Sequence, residues 1–225
     1  MNFNEENFEY LKLFLNNLCE NENIIKDIIS DPACPSYILE NVFNTSKFDD
    51  YFIKKCISKN PNSPSNILEQ LSNCLYKTIK INVINNGNCP ISVLEKFSND
   101  EDFDIKESVA KAEKCPISIL EKLSKDKDEW IRISVVENKN CPIHILENLS
   151  EDIYFHVRSA VAEKCPLYIL EKLSNDKCSD VRYSVINNKN CTNDILEKFI
   201  YDKNIDVKSH LASRHNCPVY ILEKL

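Results

Sequence analysis

The stretch 138–166, NKNCPIHILENLSEDIYFHVRSAVAEKCP, contains the pair Cys-Pro twice, at Cys141-Pro142 and at Cys165-Pro166. Aligned on that pair, the chain falls into eight copies, beginning at Cys34, Ser63, Cys89, Cys115, Cys141, Cys165, Cys191 and Cys217. Most steps are 26 residues, one is 29 and one is 24. Ser63 replaces the cysteine once, and Thr192 replaces the proline once. A period of this length marks a repeat architecture.

Each copy carries two apolar patterns. After Cys141 they begin with Ile145, Leu146 and Leu149, an i, i+1, i+4 grouping on one face of a helix. The proline is expected at the first helical position, with the preceding cysteine as N-cap. This is helix A. After a polar turn, Val157, Val161 and Ala162 form a second helical stripe, helix B, which ends in turns such as Asn187-Asn188-Lys189-Asn190. Two such short helices cannot bury their apolar faces alone, whereas stacked copies can. The spacing therefore predicts an all-α solenoid of about eight two-helix repeats over 24–225. Residues 24–33 read as a helix B leading into Cys34. Residues 1–23 read as a capping helix with Phe8, Leu11, Leu15 and Leu18 on one side. The last repeat is incomplete, stopping at Leu225 inside helix A, so the array is expected to continue.

Composition removes several functions. Gly87 is the single glycine, and phosphate-cradling loops need several. A net charge of −7 disfavours indiscriminate nucleic-acid binding. The acidic N-terminus has no signal-peptide pattern, and no run approaches the ~18 apolar residues of a membrane span. A cytoplasmic protein without membrane contact is expected.

The unit N-x-[C/S]-P-x-x-I-L-E-x-L-S-x-D-x-x-x-x-V-R-x-x-V-A resembles the leucine-rich repeat variant family of bacterial proteins. Its D-x-x-x-x-V-R segment is also similar to HEAT-like repeats. The resemblance implies a right-handed superhelix of alternating α- and 3₁₀-helices. The iron–sulfur module known in that family is not implied here, because residues 1–33 offer Cys19 alone. No cofactor is expected.

The eleven cysteines include no C-x-x-C pair. Seven of them share one repeat position, and equivalent positions on stacked helices lie about 8–10 Å apart, too far for a disulfide or a shared tetrahedral metal. Small buried side chains are the simpler reading. Cys19, Cys56, Cys74 and Cys178 fall outside the column.

Charged columns follow the same period. A basic residue begins helix B at Lys54, Lys80, Lys106, Arg132, Arg158, Arg182 and Lys208. Asp100, Asp126, Asp152, Asp176 and Asp202 stand six residues before the last five. They form either a phosphate-binding ribbon or a structural ladder in which each aspartate accepts from the basic residue of its own repeat. Constant separation favours the ladder, and the HEAT-like resemblance implies it. Glu40, Glu69, Glu95, Glu121, Glu147, Glu171, Glu197 and Glu223 fall off the apolar stripe and read as a solvated face.

Positions that the repeat does not dictate are the candidate binding surface. They are Tyr37, His144, Tyr168 and Tyr220 on helix A, Trp130, Tyr154 and Phe155 near the A–B turns, and Ile133 and Tyr183 on helix B. Exposed aromatics suit recognition, although short repeats also pack some between neighbours. The four histidines show no H-x-x-x-H spacing and no matched nucleophile, so catalysis has no support. The reading is a monomeric, non-enzymatic scaffold for a protein or peptide partner. The alternative is nucleic-acid binding through the basic column, as in HEAT-like DNA-repair glycosylases. A redox or metal protein is a third possibility.

Overall fold

The computed structural model describes residues 22–45 and 51–225. The capping helix expected over 1–23 lies almost entirely outside the described residues. Among those residues every regular element is helical. In chain order the α-helices are α1 (Glu22–Ser30), α2 (Ser36–Thr45), α3 (Tyr51–Lys59), α4 (Ser65–Leu71), α5 (Lys77–Asn85), α6 (Ile91–Phe97), α7 (Phe103–Lys111) and α8 (Ile117–Leu123). They continue as α9 (Glu129–Glu137), α10 (Ile143–Leu149), α11 (Phe155–Lys164), α12 (Leu167–Leu173), α13 (Ser179–Asn187), α14 (Asn193–Lys198), α15 (Ile205–Ser213) and α16 (Val219–Leu222). Even numbers are helices A and odd numbers helices B. The chain is an all-α helical-repeat solenoid whose contacts divide into two compact units, one ending at Cys115 and one beginning at Pro116.

Both layers are α-helical, against the alternation of α and 3₁₀ that the family resemblance implies. The one 3₁₀ turn among the described residues is Phe199–Tyr201, which extends α14. The reason is the apolar spacing: i, i+1, i+4 fits 3.6 residues per turn and would spiral off a three-residue period. Val93, Leu94 and Phe97 of α6, and Ile169, Leu170 and Leu173 of α12, are all buried on this stripe.

Helix A starts one residue later than the sequence suggests. Pro90 has ψ 145° and its carbonyl accepts from Val93 and Leu94, so the proline is itself the N-cap and the cysteine stands outside the helix. A residue with φ fixed near −65° and no N–H to satisfy suits that place. The helix closes on a serine. Ser98 Oγ donates to the Glu95 carbonyl at 2.7 Å, and Ser72, Ser124, Ser150 and Ser174 repeat the contact at 2.6–2.8 Å. That explains the recurrent E-x-L-S: the serine satisfies a carbonyl that the last turn leaves open.

Within each unit, helices B stack on one another: α1 on α3, α3 on α5 and α5 on α7, then α9 on α11, α11 on α13 and α13 on α15. Helices A pack chiefly on helices B. The shortest step, from Cys141 to Cys165, loses its two residues after helix B. There α11 runs straight to Lys164 without the three-residue turn that follows the other helices B, and α11 and α13 make the most extensive stack.

Candidate functional site

The aspartates and basic residues of the second unit meet, but across repeats rather than within one. Arg132 Nε and Nη2 donate to the Asp152 carboxylate at 2.7 and 2.8 Å. Arg158 forks onto Asp176 at 2.6 and 2.9 Å, and Arg182 onto Asp202 at 2.6 and 2.8 Å. Each arginine reaches its own repeat through a backbone carbonyl instead: Arg132 to Asp126, Arg158 to Asp152 and Arg182 to Asp176, all at 2.7 Å. The expected rung within a repeat is therefore replaced by one between repeats. The cause is local: each aspartate turns back to its own chain. Asp152 Oδ1 accepts from the Tyr154 N–H at 2.9 Å, and Asp176 Oδ1 from Cys178 N–H at 2.8 Å. With the carboxylate held in that turn, it faces the helix B arginine of the repeat before it. Asp126 makes the same turn with the Asp128 N–H at 2.9 Å.

These pairs are dry. The side chains of Arg158 and Asp176 are only 7% and 8% exposed. Burial pushes the Asp176 carboxyl up, but hydrogen bonds from Arg158 and Cys178 overcome it and hold the group below its ordinary value. Asp202 behaves alike under Arg182 and the Asn204 N–H. Asp152 raises the pKa of Arg132 by hydrogen bonding. Bidentate guanidinium–carboxylate contact adds geometric specificity that an ammonium cannot supply. Lysine versions are looser: Lys80 Nζ lies 3.9 Å from Asp100. Lys106 is partly buried in the first turn of α7, and Lys208 stands beside Asp202 and adds to lowering its pKa.

A second ladder runs along the other turns, and the sequence reading passed over it as polar turn. Asn60, Asn86, Asn138 and Asn188, three residues before the Cys column, are buried. Asn60 Nδ2 donates to the Ile29 and Asp31 carbonyls at 2.9 and 2.8 Å, and Asn86 Nδ2 to those of Ser58 and Asn60 at 3.1 and 2.9 Å. Asn188 Nδ2 reaches the Ala162 carbonyl at 2.7 Å. Each side-chain oxygen accepts a backbone N–H two residues on, as Asn86 does from Asn88 at 2.9 Å. In the first unit Asn62 and Asn88 add a parallel row: Asn88 Nδ2 donates to Pro61 and Ser63 at 2.7 and 3.1 Å. The signal was present as N-x-N before the column.

The cysteine column is apolar filling. Cys34, Cys115, Cys165 and Cys191 are buried, and Cys165 is fully enclosed. Burial pushes the thiols of Cys89, Cys115 and Cys165 up to about 12, and those of Cys141 and Cys191 to about 11. Such thiols stay protonated and unreactive near neutral pH. The column does not cap helix A through sulfur: Cys89 Sγ lies 3.6 Å from the carbonyl of its own proline, and no side chain caps that helix.

The candidate surface residues separate into three places. Trp130, Phe155, Ile133 and Tyr183 lie on helices B. Trp130 is 53% exposed and its ring stacks on His156 at 5.7 Å, while Phe155 meets the same imidazole at 3.9 Å. Tyr183 packs on His210 at 4.5 Å, and His210 Nε2 contacts Asn187 Oδ1 at 2.8 Å. His156 and His210, which join these aromatics, were missed because a lone histidine has no period to reveal it. Tyr154 lies in an A–B turn with the Arg132 guanidinium 5.4 Å over its ring.

His144, Tyr168, Tyr220 and Tyr37 form the third place, on helix A. His144 meets Glu121 at 2.9 Å and Tyr168 donates to Glu147 at 2.5 Å; Tyr220 bonds Glu197, which raises its phenol pKa. The glutamate column is thus bound from the following repeat and is not only a solvated face. Beside it runs an exposed aliphatic row, Ile117, Ile143 and Leu167. Among the described residues no three His, Cys, Asp or Glu side chains converge as a metal cluster, and no helix is long and apolar enough to cross a membrane.

No family model and none of the curated proteins matches the sequence. Among solved structures, one described as "a leucine-rich repeat variant with a novel repetitive protein structural motif" matches with a TM-score of 0.62. It covers 88% of this chain and 83% of that chain at 19% identity. The fold is therefore that of a leucine-rich repeat variant, built here from paired α-helices.

Proposed function

We propose that this chain is a non-enzymatic scaffold that binds a protein or peptide along the helix B face of residues 116–225. The observation that carries the reading is Trp130, half exposed and stacked on His156 at a position the repeat leaves free. Periodic residues already have structural partners, so the aromatics outside the period are the ones left to present to another molecule. Large aromatics held by neighbours lose little entropy on binding, which is why they recur at binding hot spots. Panning a random peptide library against the full chain tests the reading. Ligands should emerge whose binding is lost in both Trp130→Ala and Tyr183→Ala; a library that yields no ligand sensitive to either change overturns it.

A second reading, contact with nucleic acid, rests on one observation. Helix α3 carries Lys54, Lys55 and Lys59 and no carboxylate, while Lys77 and Lys80 of α5 already face Asp102, Asp104 and Asp100 of the next repeat. The arginines cannot serve it, because Arg132, Arg158 and Arg182 spend their forks on aspartates. A duplex DNA shift that weakens steeply with salt and disappears in Lys55→Gln/Lys59→Gln would support it; no shift at low salt would remove it.

A further inference from the structure

Successive helices B of residues 116–225 place Trp130, His156, Asp180 and Asp206 at the same helical position. The row changes character along its length. At one end Trp130 stacks on His156, whose Nδ1 lies 3.3 Å from Glu129. At the other end Asp180 and Asp206 are both exposed; Tyr183, one turn after Asp180, packs at 4.5 Å on His210, one turn after Asp206. Burial and the charges of those two carboxylates raise the Tyr183 phenol above its usual value.

No cation of these helices balances that face. Arg132, Arg158 and Arg182 are turned into the ladder. Lys164 bends back to donate to the Glu137 carbonyl at 2.7 Å, and Lys208 stands in the ladder column beside Asp202. Past the exposed lysines of the A–B turns, Lys127, Lys177 and Lys203, the helices present aromatic surface edged by carboxylate, the combination that attracts a desolvated cation: a ring face supplies the quadrupole and an acid the charge.

We propose that this row binds an extended cationic peptide at two subsites. One lysine or arginine lies on Trp130 with Glu129 behind it, and another enters between Asp180 and Asp206 over Tyr183. The proposal rests on the scaffold reading and names its partner. Each stacked helix advances the surface by about 8–10 Å, so the subsites, two steps apart, are separated by roughly 16–20 Å. An extended chain covers that in about five or six residues at ~3.3 Å each. The ligand therefore carries two basic clusters separated by that distance, which a compact basic run cannot match.

Trp130 is the single tryptophan of the chain, so its emission reports the first subsite directly. The probe is a fluorescein-labelled Gly/Ser peptide with two Lys-Arg pairs whose centres lie six residues apart, titrated onto the full chain. An unlabelled copy serves for the tryptophan readout. The expected result is binding that changes Trp130 emission and weakens roughly two- to fivefold for each of Asp180→Asn and Asp206→Asn, the size of an exposed charge pair. Lys55→Gln/Lys59→Gln on α3 should leave it unchanged. The same peptide with glutamate in place of its basic residues should not bind. No binding at millimolar peptide, equal binding of the glutamate peptide, or indifference to both aspartate changes overturns the proposal. Library ligands that need Trp130 but carry no basic residues would overturn the cationic partner while leaving the scaffold reading intact.

Discussion

Residues 22–115 and 116–225 are built from the same two-helix unit, yet they join their repeats with different chemistry. The first unit leans on amides: Asn60 and Asn86, doubled by Asn62 and Asn88, cross from turn to turn. It also has ionic contacts from lysines of α5: Lys80 lies 3.9 Å from Asp100, and Lys77, 44% exposed, pairs with Asp102 at 2.9 Å and with Asp104. The second unit keeps the buried amides of Asn138 and Asn188 and adds three arginine forks of 2.6–2.9 Å. The two ends of a helix pair can each supply the rung. The first unit relies mainly on the turn amides, and the second has both, which satisfies its turn carbonyls and its buried charges. Their helix B surfaces diverge as well. Lysines, with no carboxylate in the same helix, mark α3 and α5, while carboxylates beside aromatics mark the second unit.

The sharpest way to break this comparison is to remove one arginine. Arg158→Ala strands the buried Asp176 and should cost about 3–5 kcal/mol, seen as a lower urea midpoint of Trp130 fluorescence. Leu146→Ala, a truncation in the same stack, should cost about 2–5 kcal/mol whatever the ladder does. Asn86→Ala leaves the Ser58 and Asn60 carbonyls without their buried donor and should cost about 1–3 kcal/mol in a circular-dichroism melt. Its effect belongs to the first unit, so the Trp130 transition should hold nearly still.

Acid separates the units without mutation. Asp176 and Asp202 are held below their ordinary value when folded, so their contribution is present above the unfolded carboxylate pKa of about 4. It is lost as the pH falls through the still lower folded values. Chemical denaturation followed through Trp130 should therefore weaken between about pH 5 and pH 3, and more than the first unit, whose acid-sensitive Asp102 pairs with Lys77 at the surface. Smallest of all, Lys80→Ala removes a quarter-exposed ammonium and should change stability by about 0–1 kcal/mol. A loss as large as that of Arg158→Ala would erase the distinction between the units.

The helices and their buried stripe were legible because apolar spacing is a direct record of which face packs: Ile145, Leu146 and Leu149 are where the period puts them. The partner of each arginine was not. The six residues from Asp152 to Arg158 recur without change, whereas the step from an arginine to the next repeat's aspartate is twenty, then eighteen at the shortened repeat, then twenty, so constant spacing pointed to the wrong one of the two partners. Only the turn conformation, with Asp152 Oδ1 committed to the Tyr154 N–H, decides between them. Asn86 and Asn188 hid for another reason. A buried amide in a turn has the same composition as a solvated one, and its carbonyl partners carry no side-chain signature. On the surface, Trp130 and Tyr183 stood out by breaking the period, but His156 and His210, which support them, stood out from nothing.

The central claim is that the ladder ties consecutive repeats together, and a pair of double-mutant cycles tests it most directly. Asp176→Ala and Arg158→Ala each break the same rung, so the double change should cost less than the sum of the two, with a coupling of about 1–3 kcal/mol. The cycle of Arg158→Ala with Asp152→Ala should couple far less, since Arg158 meets only the Asp152 backbone carbonyl. Additive losses across Arg158 and Asp176, with strong coupling to Asp152 instead, would contradict the account.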